Sequence, residues 1–322
     1  MMIGFWLVVL IVSLFVLVKS ADFFIDASEK VGLILGISPF FIGVTIVALG
    51  TSLPELITSI IAMLNDSSEM VIGNVVGSNI ANILLVVGIT AIAVRKLNID
   101  RDILHLDLPL LAASTIILVI MVSWDGVVNI FEGLIALVVY VVYMIYLYKS
   151  RHDTVAEELN KKFKETKEKL VERKMEWKLI GIIILSCIFL FLGAKYTVTS
   201  ALALSAILGI TTAAISLSAI AIGTSLPELA VTIRAAGNGN GDLAIGNIFG
   251  SNLFNGSLVV GIATFFGPLQ VGPEVTLIAL PFLVMATFLY IFSGMSHKIY
   301  NYEGAMFVLI YIMFLAKLFK VF

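Results

Sequence analysis

The sequence is poor in the residues that most enzymes and metal centres are built from. Its single cysteine, Cys187, stands in an apolar run, so neither a disulfide framework nor a cysteine metal site can be assembled. Its three histidines, His105, His152 and His297, fall in loops or at the ends of apolar stretches. With no histidine at membrane depth, an intramembrane hydrolase would have no carrier for its general base, and the chain is not expected to be an enzyme. Charge is scarce as well. Asp, Glu, Lys and Arg supply 13% of 322 residues and hydrophobic residues 60%, whereas soluble domains carry about 25% charge. With a mean hydropathy of +1.09, a soluble fold is excluded. The net charge of −2 selects no partner, nothing points to nucleic acid, and no obligate protein partner is evident. The run from Ile3 to Val18 lacks a basic start and a small-residue cleavage site, so no cleavable signal peptide is expected.

What is present is a series of ten apolar stretches, covering roughly 2–19, 38–63, 70–93, 104–123, 128–148, 178–198, 211–235, 243–266, 273–293 and 303–320. Each is long enough to cross a bilayer. Backbone groups in lipid need partners within their own segment, so the expected fold is an all-α membrane protein of ten transmembrane helices. One segment stands apart: Lys149 to Lys178 holds ten Lys/Arg and seven Asp/Glu. Pairs such as Glu157/Lys161 and Glu158/Lys162 sit at helical spacing, and the segment is too polar to build a core. The expected layout is a first half over 1–148, a charged linker over 149–178 and a second half over 179–322.

With ten spans, the connections after spans 1, 3, 5, 7 and 9 share one side. They carry Lys19, Lys30, Arg95, Lys96, Arg101, the basic linker residues, Arg234 and Lys298, against only Lys195, Lys317 and Lys320 on the other. The basic side is then cytoplasmic, with both termini outside and linker 149–178 inside. Trp6, Trp124 and Trp177 lie near span ends and read as interfacial anchors.

One stretch occurs twice, 173 residues apart. Gly50-Thr51-Ser52-Leu53-Pro54-Glu55 returns as Gly223-Thr224-Ser225-Leu226-Pro227-Glu228, and Gly73-Asn74 with Gly77-Ser78-Asn79-Ile80-Ala81-Asn82 returns as Gly246-Asn247 with Gly250-Ser251-Asn252-Leu253-Phe254-Asn255. The copies run over about 35–88 and 208–261, and about half of the positions from 42 to 88 are identical to their counterparts. Five spans separate the copies, so they enter the membrane in opposite senses. Such inverted repeats place substrate at their interface near the midplane.

The chemistry of the repeated stretch fits that placement. A carboxylate at bilayer depth costs about 2.5–3.5 kcal/mol on insertion scales, so Glu55 and Glu228 read as functional. Pro54 and Pro227 remove a helical donor and disfavour helix at the preceding residue, and Gly50 and Gly223 weaken the helix further. Each span should break near its middle, leaving carbonyls and two hydroxyls beside a glutamate. These oxygens are hard ligands, suited to Na⁺, Ca²⁺ or Mg²⁺. Ser52-x-x-Glu55 and Ser225-x-x-Glu228 also fit a capping box, which could coexist with a site. Gly73/Gly77 and Gly246/Gly250 form small-xxx-small patterns that bring helices close. Close approach would carry Ser78, Asn82, Ser251 and Asn255 toward the glutamates, since each Ser/Asn pair shares a helix face. Asn74, Asn79, Asn247 and Asn252 suit interhelical hydrogen bonds, with Asn74 and Asn247 also able to reach the pore.

These paired stretches resemble the two alpha-repeats of the sodium/calcium exchanger branch of the cation/calcium antiporter superfamily, prokaryotic type. The resemblance covers the whole ten-span layout. It implies two inverted five-helix halves with spans 2, 3, 7 and 8 at the centre. It implies an acidic pair at Glu55 and Glu228, with ligands at Thr51, Ser52, Thr224 and Ser225, at carbonyls near Ala48 and Ala221, and at Ser78, Asn82, Ser251 and Asn255. It further implies alternating-access antiport of Na⁺ for Ca²⁺, about three to one and electrogenic, with both ions as substrates and no cofactor. Some relatives, including potassium-dependent exchangers, carry aspartate where this chain has Asn255, which argues against K⁺ co-transport. The proton-coupled branch carries further acidic residues and a histidine in its repeats, and this chain has none there. Antiport of H⁺ for Ca²⁺ or another divalent ion remains the alternative, and a cation channel a further one.

Overall fold

The computed structural model describes residues 2–34, 48–98, 107–149, 177–239 and 241–321. The first part of span 2, the start of span 4 with His105, and linker positions 150–176 with His152 lie outside them. The described chain is overwhelmingly helical. Among the described residues, six helices are long and apolar enough to cross a membrane, or seven if a bent pair counts as one span.

The first helix, α1, runs Met2–Ile34, well past the expected end near residue 19. Lys19, Asp22, Asp26 and Lys30 continue it, because their spacing of three or four residues stacks them along a solvated surface; Lys19 Nζ pairs with Asp22 Oδ2 at 2.9 Å. After it come α2 (Ala48–Thr51), α3 (Leu53–Leu64), α4 (Glu69–Ile80), α5 (Val87–Val94), α6 (Asp107–Ser123) and α7 (Ile130–Lys149). The second half holds α8 (Trp177–Leu208), α9 (Thr212–Ile215), α10 (Ala221–Thr224), α11 (Leu226–Gly237), α12 (Gly241–Leu253), α13 (Val260–Ala263), α14 (Leu280–Met295) and α15 (Asn301–Leu318). Helix α8 likewise overruns its expected end. At 1.5 Å per residue, α1 and α8 are each about 50 Å long, beyond a hydrocarbon core of about 30 Å.

Helices α1 and α8 pack along their length. Leu10, Leu14, Leu17 and Ala21 are buried, while Phe5, Val8, Ile11, Val12 and Phe15 on the opposite face are exposed, as a lipid-facing surface requires. Thr197 Oγ1 donates to Ser13 Oγ at 3.0 Å, and a Cβ at Gly193 would stand 2.9 Å from the Leu17 nitrogen. The centre belongs to α4–α5 and α12–α13, which are the most buried of the long helices although they carry the Gly-Ser-Asn stretches.

Neither central helix is regular. A π-helical turn joins α4 to α5 over Ala81–Val86 and another joins α12 to α13 over Phe254–Val259, matched at the 173-residue offset. Two further π turns lie at Ser216–Ile220 and Val275–Ala279. Such turns release backbone groups and concentrate at functional sites. Nothing in local composition signalled them.

Two short antiparallel ribbons tie helix ends together. Strand β1 (Lys96–Asn98) pairs with β4 (Lys298–Tyr300), placing Leu97 opposite Ile299. Strand β2 (Val127–Val128) pairs with β3 (Leu269–Gln270), placing Val128 opposite Leu269. All four of these apolar residues are buried. Two glycine crossings repeat the theme: Gly88 lies against the Gly304 carbonyl and Gly261 against the Gly133 carbonyl, where an added Cβ would stand at 2.8 and 2.9 Å. Trp124 and Trp177 are exposed at the end of α6 and the start of α8, whereas Trp6 is half-buried against the core.

Candidate functional site

Each repeated Gly-Thr-Ser-Leu-Pro-Glu stretch interrupts its span at the serine. Ser52 has φ −94° and ψ 7° between α2 and α3, and Ser225 has φ −81° and ψ 3° between α10 and α11. The second break bends the span by 41°. Regular bonding resumes at once, with Leu56 N donating to Ser52 O at 3.2 Å and Leu229 N to Ser225 O at 3.1 Å. The prolines therefore sit in the first turn of a new helix, where backbone N–H groups lack intrahelical acceptors and a missing one costs nothing. Glu55 and Glu228 fall in the same first turn, at the end where the helix dipole favours a negative charge.

The capping reading is not realised: neither Ser52 nor Ser225 makes a side-chain cap bond. Ser52 Oγ instead crosses to the other half and donates to Glu228 Oε1 at 3.1 Å. Ser251 Oγ donates to the same oxygen at 3.3 Å. Ser78 Oγ lies 3.3 Å from Thr224 Oγ1 and Thr51 Oγ1 lies 3.5 Å from Ser251 Oγ, with Ser78 and Thr224 both beside the Glu55 carboxylate. Thr51, Ser52, Ser78, Thr224, Ser225, Ser251, Asn82 and Asn255 are all buried, and the two glutamates are both 0% exposed. Asn82 Nδ2 donates to Asn252 Oδ1 at 3.4 Å and Asn79 Nδ2 to Asn252 O at 3.0 Å, locking the two central helices together. Ala48 opens α2. The Ala221 carbonyl, near which the resemblance implies a ligand, accepts from Ser225 N at 3.1 Å and from Thr224 Oγ1 at 3.4 Å.

Glycine sets the approach that closes this cluster. A Cβ on Gly77 would stand 2.8 Å from both Leu217 Cα and Leu217 O, and one on Gly73 2.9 Å from Ser216 Cβ. The first small-xxx-small pattern therefore seats α4 on the broken span of the second half. A Cβ on Gly223 would instead stand 2.6 Å from Leu14 Cδ1 of α1. A Cβ at Gly246 meets no described atom within 4 Å. The counterparts, by the offset, of the residues that meet Gly73 and Gly77 are 40–48, largely outside the described residues.

The electrostatics are unbalanced. Among the described residues the one ion pair is Lys19–Asp22, far in sequence from the cluster, so Glu55 and Glu228 have no basic counter-residue there. Among the described residues, both carboxylate oxygens of Glu55, Oε2 of Glu228, Oγ of Ser225, Oδ1 of Asn82 and both polar atoms of Asn255 are buried without a hydrogen-bond partner. An unpaired buried charge costs several kcal/mol, so these two carboxylates and the unpartnered oxygens could hold a cation. No group of three or more His, Cys, Asp or Glu exists among the described residues. The donor set is two carboxylates plus neutral hydroxyl and amide oxygens, which suits Na⁺ and Ca²⁺ rather than a transition metal.

The site also holds roles that motif reading left open. Asn74 Nδ2 reaches the Glu55 carbonyl at 3.4 Å and Ser59 Oγ at 3.5 Å. Asn247 Nδ2 reaches the Glu228 carbonyl at 3.5 Å and Thr232 Oγ1 at 3.1 Å. The signal in the sequence was the matched offset of all three positions, with a hydroxyl four residues after each glutamate.

Known proteins resemble this chain over most of its length. The family described as sodium/calcium exchanger protein matches residues 5–149 and 178–320. Sodium/calcium exchanger MaX1 of Methanosarcina acetivorans is 32% identical over 97% of this chain and 98% of its own length. Inner membrane protein YrbG of Escherichia coli is 34% identical over 82% of this chain and 81% of its own. A solved structure of the sodium-calcium exchanger NCX_Mj, soaked with Na⁺ and Sr²⁺, superposes with a TM-score of 0.66 at 26% identity, covering 98% of this chain and 99% of that one.

Proposed function

The chain belongs to the sodium/calcium exchanger protein family, and from that premise we propose how it exchanges Na⁺ for Ca²⁺ across the membrane. The observation that carries the proposal is the pair of fully buried glutamates, one from each copy of the repeat, with no basic residue paired to either among the described residues. Glu55 and Glu228 supply about −2 to a cavity otherwise lined by neutral groups. One Ca²⁺ neutralises them, offsetting the cost of their burial. Na⁺ uses overlapping oxygens, drawn from Thr51, Ser52, Ser78, Asn82, Thr224, Ser225, Ser251, Asn255 and carbonyls near Ala48 and Ala221. The two ions then exclude each other, and that competition couples their fluxes.

Residues 1–148 and 179–322 act as two five-helix halves of inverted topology, joined by a cytoplasmic linker over 149–178, with both termini outside. Rocking of one half against the other opens the site alternately to each side. Bound one at a time against about three Na⁺, a Ca²⁺ leaves the site near neutral and the sodium load leaves it about +1, so each cycle moves one net charge, worth about 2.3 kcal/mol per 100 mV. Asn255 brings no third carboxylate, so K⁺ is not required. No resident cofactor takes part.

The test is uptake of radiolabelled Ca²⁺ into proteoliposomes under imposed Na⁺, K⁺ or H⁺ gradients, each alone. Uptake driven by an outward Na⁺ gradient is expected. Uptake that follows only the proton gradient would give the coupling to H⁺, and downhill flux indifferent to every gradient would make the protein a channel.

A further inference from the structure

Asn74 and Asn247 are buried amides in the centre of the molecule, and coordination of the transported ion gives their nitrogens nothing to do. Each sits on the second helix of its half and makes the same pair of bonds, 173 residues apart. Asn74 Nδ2 donates to the Glu55 carbonyl and to Ser59 Oγ; Asn247 Nδ2 donates to the Glu228 carbonyl and to Thr232 Oγ1. A helical carbonyl is ordinarily served by the N–H four residues on. The amide takes its second lone pair, so the bond adds nothing to the helix itself. It fastens the short helix that carries the glutamate to the long helix that carries Ser78 or Ser251.

The other end of Asn74 has a separate use. Thr224 Oγ1 donates to Asn74 Oδ1 at 3.5 Å. A hydroxyl has one proton and two lone pairs, and it can face a cation only after its proton has been sent elsewhere. The Ala221 carbonyl at 3.4 Å is an alternative acceptor on the same helix; Asn74, the Ser78 hydroxyl at 3.3 Å and the nearby Glu55 carboxylate are the candidate acceptors from the opposite half, and of these Asn74 Oδ1 is the neutral one with no proton of its own to place. Among the described residues Asn247 Oδ1 has no hydrogen-bond partner. The first amide is therefore engaged at both ends and the second at one.

We propose that Asn74 and Asn247 are positioning residues for the exchanged ion. Each pins the main chain of its half's glutamate, and Asn74 also turns the lone pairs of Thr224 toward the cation. The proposal rests on Glu55 and Glu228 being the ion site.

The experiment uses the full chain in proteoliposomes, with Na⁺-driven Ca²⁺ uptake measured across Ca²⁺ concentrations and thermal unfolding recorded for each variant. Asn74→Leu removes both ends at similar volume; Asn74→Asp keeps the acceptor and loses the donor. Either is expected to raise the Ca²⁺ concentration for half-maximal uptake roughly ten-fold, with the maximal rate per folded molecule within about two-fold. Asn247→Leu should act in the same direction and less strongly. Ser59→Ala removes only the side acceptor of Asn74 and should leave half-saturation unchanged. Thr224→Val added to Asn74→Leu should raise half-saturation by less than the product of the two single effects. Wild-type half-saturation in folded Asn74→Leu or Asn74→Asp would overturn the proposal. So would a loss of stability and rate with half-saturation unchanged, or failure of every variant at both positions to fold, since each would leave the amides a merely structural role. Absence of Na⁺-driven uptake in the wild type would instead bring down the ion-site reading, and this proposal with it.

Discussion

Replacing Gly77 by alanine sets two effects of opposite sign against each other. Helix propensity favours alanine over glycine by about 1 kcal/mol in a helix interior. Packing opposes it, because the new Cβ would lie 2.8 Å from Leu217 Cα, 2.8 Å from Leu217 O and 2.9 Å from Ala221 Cβ. Two of those atoms are main chain within a π turn, so no rotamer change removes the overlap. Ordinary carbon contacts lie at about 3.5–4.0 Å, so α4 and the broken span must part by roughly 0.7 Å or more. Overpacking of this kind costs about 1–3 kcal/mol, which outweighs the propensity gain. The same parting would stretch the 3.3 Å contact between Ser78 Oγ and Thr224 Oγ1 beyond hydrogen-bond range, beside Glu55. Gly77→Ala is therefore expected to unfold at lower temperature in detergent and to need more Ca²⁺ for half-maximal uptake. Gly181 on α8 is the control. A Cβ there meets nothing within 4 Å, so propensity acts alone and Gly181→Ala should hold or raise the unfolding temperature. If both variants behave alike in unfolding and in uptake, glycine does not set the approach of these helices and the packing argument is wrong.

Three other outcomes follow from the proposed function. Glu55→Gln and Glu228→Gln should each abolish exchange in a protein that still folds, because one remaining carboxylate leaves a divalent ion half-neutralised; wild-type rates in either would remove that residue from the site. The segment from Lys161 to Lys174 should be cytoplasmic and dispensable for basic exchange, which is checked by labelling an introduced cysteine there from outside intact cells and by assaying a chain with a shortened linker. Labelling from outside would reverse the orientation, and loss of exchange in the folded short form would end the claim of dispensability. A K⁺ diffusion potential set with valinomycin should change the rate of Na⁺-driven Ca²⁺ uptake, with choline replacing K⁺ in the controls. A rate indifferent to voltage would rule out electrogenic exchange, and an absolute need for K⁺ at fixed voltage would rule out independence from it.

The division between what was legible in the chain and what was not runs along the range of the forces involved. Hydropathy alone determined that this is a helical membrane protein. The duplicated stretch singled out Glu55 and Glu228, since a carboxylate inside an apolar run is costly wherever the run folds. Pro54 and Pro227 located the helix breaks within a residue or so, because a missing N–H and a ring clash act on their immediate neighbours. The small-xxx-small spacing gave Gly73 and Gly77 as contact residues, and the close approach at Leu217 and Ser216 is what that spacing allows.

Tertiary structure decided which partners those residues take. Ser52 had a local use, capping its own helix, and a distant one on Glu228; packing of the two halves brought the carboxylate to 3.1 Å and the distant partner prevailed. The length of α1 was misjudged because charged residues at helical spacing end an apolar stretch without ending a helix, and α8 was cut short although Thr199 to Leu208 carries no charge. The π turns at Ala81–Val86 and Phe254–Val259 add one residue to a turn to fit neighbouring helices, a demand that no local sequence states. Asn74 and Asn247 were visible as polar residues in apolar surroundings, but their acceptors lie 19 residues away on another helix. The chain could thus announce its buried charges and its breaks, which are properties of a residue and its neighbours. Only the folded arrangement could assign which of the described oxygens have a partner and which do not.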